Sequence, residues 1–262
     1  MKNQNEVKHL TKTEPEEWEW ELADEELAQA PRKKRWPFRI VALLIILGFA
    51  ALSFPELKFI LSYQLGFLAG NQILSTDEIV KRAKPAVVSI EATVWNGPFM
   101  SAHQGTGFNI SPQGKIITNH HVVSGSKQIK ISFGDGRVFY SDRFTAIKGV
   151  DLATIELHSY NLPAIPVDKK ADIRGGEQVT IIGNPLGLDK IAQRGRVGQH
   201  HRTSENRIPV FDINVPANPG NSGSPVLNER GRVIGVVFAS SQIKTNAHNE
   251  THALAIPIQA LQ

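Results

Sequence analysis

Hydrophobic and polar positions divide the chain into three regimes. Residues 1–31 are polar almost throughout, Ile40 to Phe54 (IVALLIILGFAALSF) form an uncharged apolar run, and from about Ser75 short apolar segments alternate with turn residues to the end. In the third regime VVSIEATV, GTGFNIS, KIITNHHVV, KQIKISF, RVFYSDRFTAI, LATIEL, EQVTIIG, IPVFDINV, SPVLNERGRVIGVVFA and LAIPI are rich in β-branched residues and bounded by Gly, Pro, Asn or Asp. That is the pattern of strands. Glu229-Arg230-Gly231 marks a hairpin, and no ten-residue helical period intervenes to suggest a parallel sheet. The prediction is an all-β domain of paired antiparallel barrels or a sandwich. One short helix precedes it, with Ser75 and Glu78 as a capping box and the Lys84-Pro85 step as its end.

The apolar run is fifteen residues long, short of the about 20 that cross a bilayer, but Trp36 to Phe38 extend it and Arg39 can snorkel to the interface. Arg32, Lys33, Lys34, Arg35 and Arg39 precede the run, and only Lys58 lies within the sixteen residues after it. This bias places the N-terminus in the cytoplasm and exports the chain beyond the run. The expected organisation is a cytoplasmic acidic tail with a basic juxtamembrane cluster (1–35), one transmembrane signal anchor (36–55), a stalk or interfacial segment (56–74) and the all-β domain (75–262). A cleaved signal peptide, with small residues at Gly48-Phe49-Ala50, is the competing reading. Eight acids between Glu14 and Glu26 are atypical ahead of a signal peptide and favour the uncleaved anchor. With Trp18 and Trp20 among them, they read as a solvated tail.

Composition narrows the chemistry. Zero cysteines exclude thiolate catalysis and thiolate-bound zinc, and a formal charge of +4 without a basic stripe argues against nucleic acid. His248 and His252 stand four apart, but NAHNETHALAIP reads as a loop entering a strand, so no metal and no cofactor is expected. His200-His201 reads as polar loop.

The segment NPGNSGSPV, Asn218 to Val226, is different. Pro219, Gly220 and Gly223 hold Ser222 in a defined backbone shape before an apolar strand resumes, more turn chemistry than chain reversal needs. A serine hydroxyl becomes a nucleophile only beside a base, best a neutral imidazole held by a carboxylate. Candidates are His120-His121, where the strand IITN breaks, and Asp151, at the mouth of LATIEL.

Together these segments resemble trypsin-like serine proteases of the HtrA/Deg kind. TGFNISPQGKIITNHHVV, VDLATIEL, GNPLG, NPGNSGSPV and LAIPI occur in that family's order, with AKPAVVSIEATV resembling the start of its protease domain, so the resemblance covers roughly residues 75–260. It implies a chymotrypsin-like double β-barrel, a catalytic set of His121, Asp151 and Ser222, with His120 on a variable position, and an oxyanion hole from the amides of Gly220 and Ser222. It also implies protein or peptide substrates and places Val215, Val237 and Phe238 along the primary specificity pocket. Three departures stand out. Ser224 replaces the second Gly of the family's GNSGGP, and Ile213 to Ala217 are apolar where an acid selecting Arg or Lys would lie. The chain as given ends at Gln262, leaving no room for a PDZ domain. Asn221, where zymogen-activated relatives carry an aspartate, implies activity that does not await a newly cut N-terminus. The expected protein is a membrane-tethered serine endopeptidase of the bacterial cytoplasmic membrane, with its protease domain exported. The alternative is a protease-fold protein that binds peptides without cleaving them.

Overall fold

In the computed structural model the described residues are 40–41, 74–96, 99–184, 190–203, 208–244 and 249–261. Two compact units are distinguished, residues 1–60 and 61–262. In the first, only Ile40 and Val41 are described, and both are helical and exposed. The expected acidic tail, the rest of the expected span and nearly all of the stalk lie outside the described residues. Among the described residues no helix is long and apolar enough to cross a membrane.

The second unit opens with helix α1 (Glu78–Ala83). Its cap is Asp77, not the expected Ser75–Glu78 box: Asp77 Oδ1 accepts from the amides of Ile79 at 2.9 Å and Val80 at 3.3 Å. One carboxylate so placed satisfies two of the first-turn donors, which the helix cannot pair internally. Pro85 falls in a single 3₁₀ turn that ends the helical segment and leads into the first strand.

The first layer comprises β1 (Val87–Asn96), β2 (Phe99–Asn109), β3 (Lys115–Thr118), β4 (Ser126–Phe133), β5 (Val138–Ser141), β6 (Thr145–Ala146) and β7 (Ala153–Glu156). They form one sheet in the order β5-β4-β1-β2-β3-β7-β6. The second comprises β8 (Gln178–Gly183), β9 (Ile191–Arg202), β10 (Pro209–Ile213), β11 (Pro225–Leu227), β12 (Val233–Lys244) and β13 (Asn249–Pro257). These close into a barrel in the order β10-β13-β12-β11-β8-β9. All neighbours within both layers pair antiparallel. The architecture is the all-β chymotrypsin-like double barrel expected from the sequence.

Three apolar cores explain the strand patterns. Val88, Ile90, Ile116, Ile129, Ile131 and Ile155 fill the first layer, and Phe211, Ile213, Val226, Ile234 and Val237 fill the closed barrel. A third core draws on both layers, with Phe108, Ile117 and Leu152 from one meeting Ile182, Leu227 and Val236 from the other. The side chains of β12 therefore divide between two cores, Ile234 and Val237 to one and Val233 and Val236 to the other, which is why VIGVV is apolar without alternation. Each such aliphatic side chain contributes about 1.5–3 kcal/mol by leaving water.

Two stretches depart from the sequence reading. In KIITNHHVV the strand breaks before the histidines as expected, β3 stopping at Thr118, but His120–Val123 form a single helical turn, α2, where VV was counted with the strand. His200 and His201, expected in loop, lie in β9, and His252 lies in β13. Polar side chains on the outer face of a barrel strand read like loop in sequence, because only the inner face must be apolar. The expected hairpin is present, with Asn228 Oδ1 accepting from the amides of Arg230 and Arg232, both at 3.1 Å, and Gly231 at φ +69°.

Candidate active site

His121 sits on α2, the turn after β3, and Asp151 directly precedes Leu152 and β7. Because β3 and β7 are paired neighbours, Thr118 opposite Ala153, the sheet brings the two loops together. Asp151 then engages His121 twice. Its Oδ1 accepts the His121 backbone amide at 2.9 Å, and its Oδ2 stands 2.6 Å from His121 Nδ1. The second contact assigns the ring proton to Nδ1 and leaves Nε2 as the free, acceptor nitrogen. Asn119, fully buried, donates through Nδ2 to the Asp151 carbonyl at 2.8 Å and so fixes the loop from below. His120 packs its ring against Phe144, centroids 5.7 Å apart.

Ser222 lies in the loop between β10 and β11. That loop is shaped by two glycines in the left-handed region, Gly220 at φ +95° and Gly223 at φ +86°. At Gly223 the requirement is also spatial: a Cβ there would run into the Thr106 carbonyl oxygen and stand 2.6 Å from Thr118 Oγ1. Ser224, the departure from GNSGGP, shows no positive φ and is fully buried. A side chain is therefore admitted at 224 without backbone strain, whereas 223 must stay Gly. The buried Ser224 hydroxyl lies over Gly183, where a Cβ would collide with it.

The two halves of the candidate site meet at Gly105. A Cβ on Gly105 would stand 2.8 Å from both methyls of Val122, the neighbour of His121, and 3.2 Å from the Ser222 carbonyl oxygen. The Ser222 carbonyl accepts the Thr106 amide at 2.8 Å. Across the loop, the Gly223 amide donates to Val237 O at 2.8 Å and the Val237 amide donates to Ser224 O at 2.9 Å, tying the serine loop to β12. Among the described residues neither the Gly220 nor the Ser222 amide donates to a backbone carbonyl. The Ser222 hydroxyl makes no hydrogen bond among the described residues. The base and the acid are thus joined, while the link from base to nucleophile is open.

Beside Ser222 is a cleft of about 210 Å³ lined by Ala217, Asn218, Pro219, Asn221, Ser222, Val237, Ala239 and Ser240. No carboxylate is among them. Val237 is one of the cleft's lining residues. Val215 is 6% exposed inside the barrel core, and Phe238 packs on the core shared by the two layers. Neither lines the cleft: Val215, just after β10, is packed into the barrel core, and Phe238 sits at the bulge of β12 between Val237 and Ala239, which turns it from the cleft.

Sequence reasoning passed over Thr106 and Asn184, although both stand inside the quoted motifs GTGF and GNPLG. Thr106 Oγ1 donates to Gly220 O at 2.7 Å and accepts from Asn184 N at 2.9 Å. The signal was available: a hydroxyl between two glycines at a place where barrels touch.

One carboxylate outside this site is also clamped. Asp212 on β10 is 2% exposed, its Oδ1 accepting from Gln199 N at 2.7 Å and facing His201 Nε2 at 2.8 Å, its Oδ2 facing His252 Nδ1 at 2.9 Å. Burial acts to raise its carboxyl, but the hydrogen bonds from His252, His201 and the Gln199 amide outweigh it and hold the group below its ordinary value. Among the described residues no group of His, Asp and Glu is arranged to hold a metal.

The trypsin-like peptidase domain family matches residues 105–236, just over half of the chain. The chain is 34% identical over 164 residues to a putative serine protease, HhoB, of Synechocystis, covering 60% of this chain and 38% of that protein. It is 37% identical over 157 residues to a probable periplasmic serine endoprotease, DegP-like, of Halomonas elongata, covering 59% and 32%. The chain thus spans about a third of the length of these relatives. Among solved structures it resembles the HtrA-type protease AlgW with decapeptide, with a TM-score of 0.58 at 26% identity over 70% of this chain and 64% of that one. It also resembles the serine endoprotease from Yersinia pestis, with a TM-score of 0.56 at 27% identity over 68% and 61%. The matched segment contains His121, Asp151 and Ser222 in one fold with its glycine-shaped serine loop, and on that ground the chain belongs to the trypsin-like peptidase domain family.

Proposed function

We propose that this protein is a serine endopeptidase of the HtrA/DegP type that hydrolyses peptide bonds in exported proteins. The observation that carries the reading is the double engagement of His121 by Asp151, which orients the imidazole and leaves its Nε2 as the nitrogen able to act as a base. Ser222 attacks the peptide carbonyl as His121 takes its proton. The imidazolium is stabilised by Asp151 and returns the proton to the leaving amine, after which water repeats the steps on the acyl-enzyme. The negative charge that develops on the carbonyl oxygen is met by the amides of Gly220 and Ser222.

The same reading makes residues 36–55 a single membrane anchor with a cytoplasmic N-terminus. It is supported by the five basic residues ahead of an uncharged run, and by the periplasmic description carried by the Halomonas relative. No cofactor takes part. The decisive experiment is labelling with a fluorophosphonate probe together with hydrolysis of an unfolded protein. Wild type should react covalently at Ser222 and degrade the substrate, and Ser222→Ala should do neither. A wild-type protein that binds peptides but neither labels nor cleaves would establish the binding-only alternative.

A further inference from the structure

We propose that Thr106 is a positioning residue that keeps the oxyanion-binding amides turned toward the substrate. The inference rests on the peptidase reading above. A threonine hydroxyl has one hydrogen and two lone pairs. Here the lone pairs face two donors from the neighbouring layer, Asn184 N at 2.9 Å and Asn184 Nδ2 at 3.2 Å. Asn184 is itself anchored, its Nδ2 also donating to Val88 O at 3.1 Å. With both acceptor sites occupied, the single hydrogen has one direction left, and it points to Gly220 O at 2.7 Å. The backbone of the same residue holds the other side of the loop, because Thr106 N donates to Ser222 O at 2.8 Å. One fully buried residue on β2 therefore fixes two carbonyls that flank Asn221.

Those carbonyls matter because of what they align. Gly220 lacks a Cβ, so at φ +95° little steric cost resists rotation of its backbone, and the peptide it shares with Asn221 is held by two bonds, Asn221 N to Asn218 O at 3.0 Å within the loop and Thr106 Oγ1 to Gly220 O from outside it. Released from Thr106, the Gly220 carbonyl rotates about the Gly220 Cα and shifts the peptide links on either side of it, so that the Gly220 and Ser222 amides no longer converge on one point. The loop's own glycines impose no such alignment, and the Asn221–Asn218 bond fixes only one end of the peptide. The Thr106 hydroxyl imposes it, from outside the loop and without touching substrate, so its effect should appear in the chemical step rather than in ground-state binding.

The test compares Thr106→Val, which removes the hydroxyl at nearly constant shape, with Thr106→Ser, which keeps it. Steady-state hydrolysis of a peptide substrate is measured beside the affinity for a peptide aldehyde, which forms a tetrahedral adduct. For T106V we expect kcat to fall at least tenfold with KM changed less than about threefold, aldehyde binding to weaken in parallel with kcat, and a melting temperature that still reports a folded protein. T106S should recover kcat to within about threefold of wild type. T106A provides the same comparison should the valine variant not fold. Unchanged kcat in T106V or T106A overturns the proposal, as does a T106S variant as impaired as T106V, which would trace the effect to the methyl group. Wild-type protein without turnover or fluorophosphonate labelling would instead remove the peptidase reading, and this inference with it.

Discussion

At the residue scale the two adjacent histidines provide the sharpest contrast. The strand end expected at His120-His121 would turn successive side chains to opposite faces, whereas α2 sets them about 100° apart. The separation survives the change of element, since His121 is held by Asp151 and His120 lies against Phe144. His121→Ala should abolish turnover about as completely as Ser222→Ala, while His120→Ala should keep most of kcat/KM, with circular dichroism checking both folds. Asp151→Asn should lower kcat by about 10⁴-fold through the wrong tautomer. A dead His120 variant beside a live His121 variant would move the base by one residue. Gly223→Ala makes a separate claim: positive φ and the Thr106 carbonyl leave no room for a methyl group, so this variant should lose activity together with stability.

At the scale of elements, two carboxylates join pieces that the sequence leaves far apart. Asp77 caps α1 and also pairs with Arg194 Nη2 on β9 at 2.7 Å. The Arg194 hydrogen bond is the main reason its carboxyl lies below the ordinary value, with burial opposing and the two helix amides assisting. Asp212 joins β10 to β9 and β13 through its two histidines. Both carboxyls are lowered in the folded protein, so both contribute stability that is complete above the unfolded-state value of about 4 and is lost as pH falls through the lower folded values. Wild type should therefore lose melting temperature as pH falls below about 4, and the Asp212→Ala variant should show a shallower loss there. At pH 7 the same variant should be less stable by about 2 kcal/mol, a fall of roughly 4–8 °C for a domain of this size, because charge-assisted hydrogen bonds to a buried group are removed. Equal slopes for variant and wild type below pH 4 would show that Asp212 is not one of the titrating groups.

At the scale of the whole molecule the prediction concerns substrate choice. The cleft beside Ser222 has small walls, Ala217, Val237 and Ala239, and its polar groups are the neutral Asn218, Asn221 and Ser240. A buried cation there would lack a counter-charge at a cost of several kcal/mol. A peptide library should accordingly be cut after small or medium aliphatic residues, and a profile dominated by Arg and Lys would contradict the cleft. The topology reading has its own test: a reporter fused after Gly70 should be active only on the exported side.

Much of this was legible in the chain by itself. β-branched runs between Gly, Pro and Asn punctuation specify strands through local sterics, and NPGNSGSPV specifies its loop because only glycine accepts the positive φ at 220 and 223. VIGVV was legible as strand, though that its side chains enter two cores was not. What the sequence left open depends on residues far apart along the chain. Asp77 was a helix residue until Arg194 arrived across the fold, His201 and His252 were loop polarity until Asp212 placed them on one face, and Phe238 was a pocket wall until the bulge in β12 turned it to a core. Thr106 is the clearest case. A hydroxyl has no direction of its own, and only the packing of β2 against Asn184 and Gly220 gave this one a single place to point.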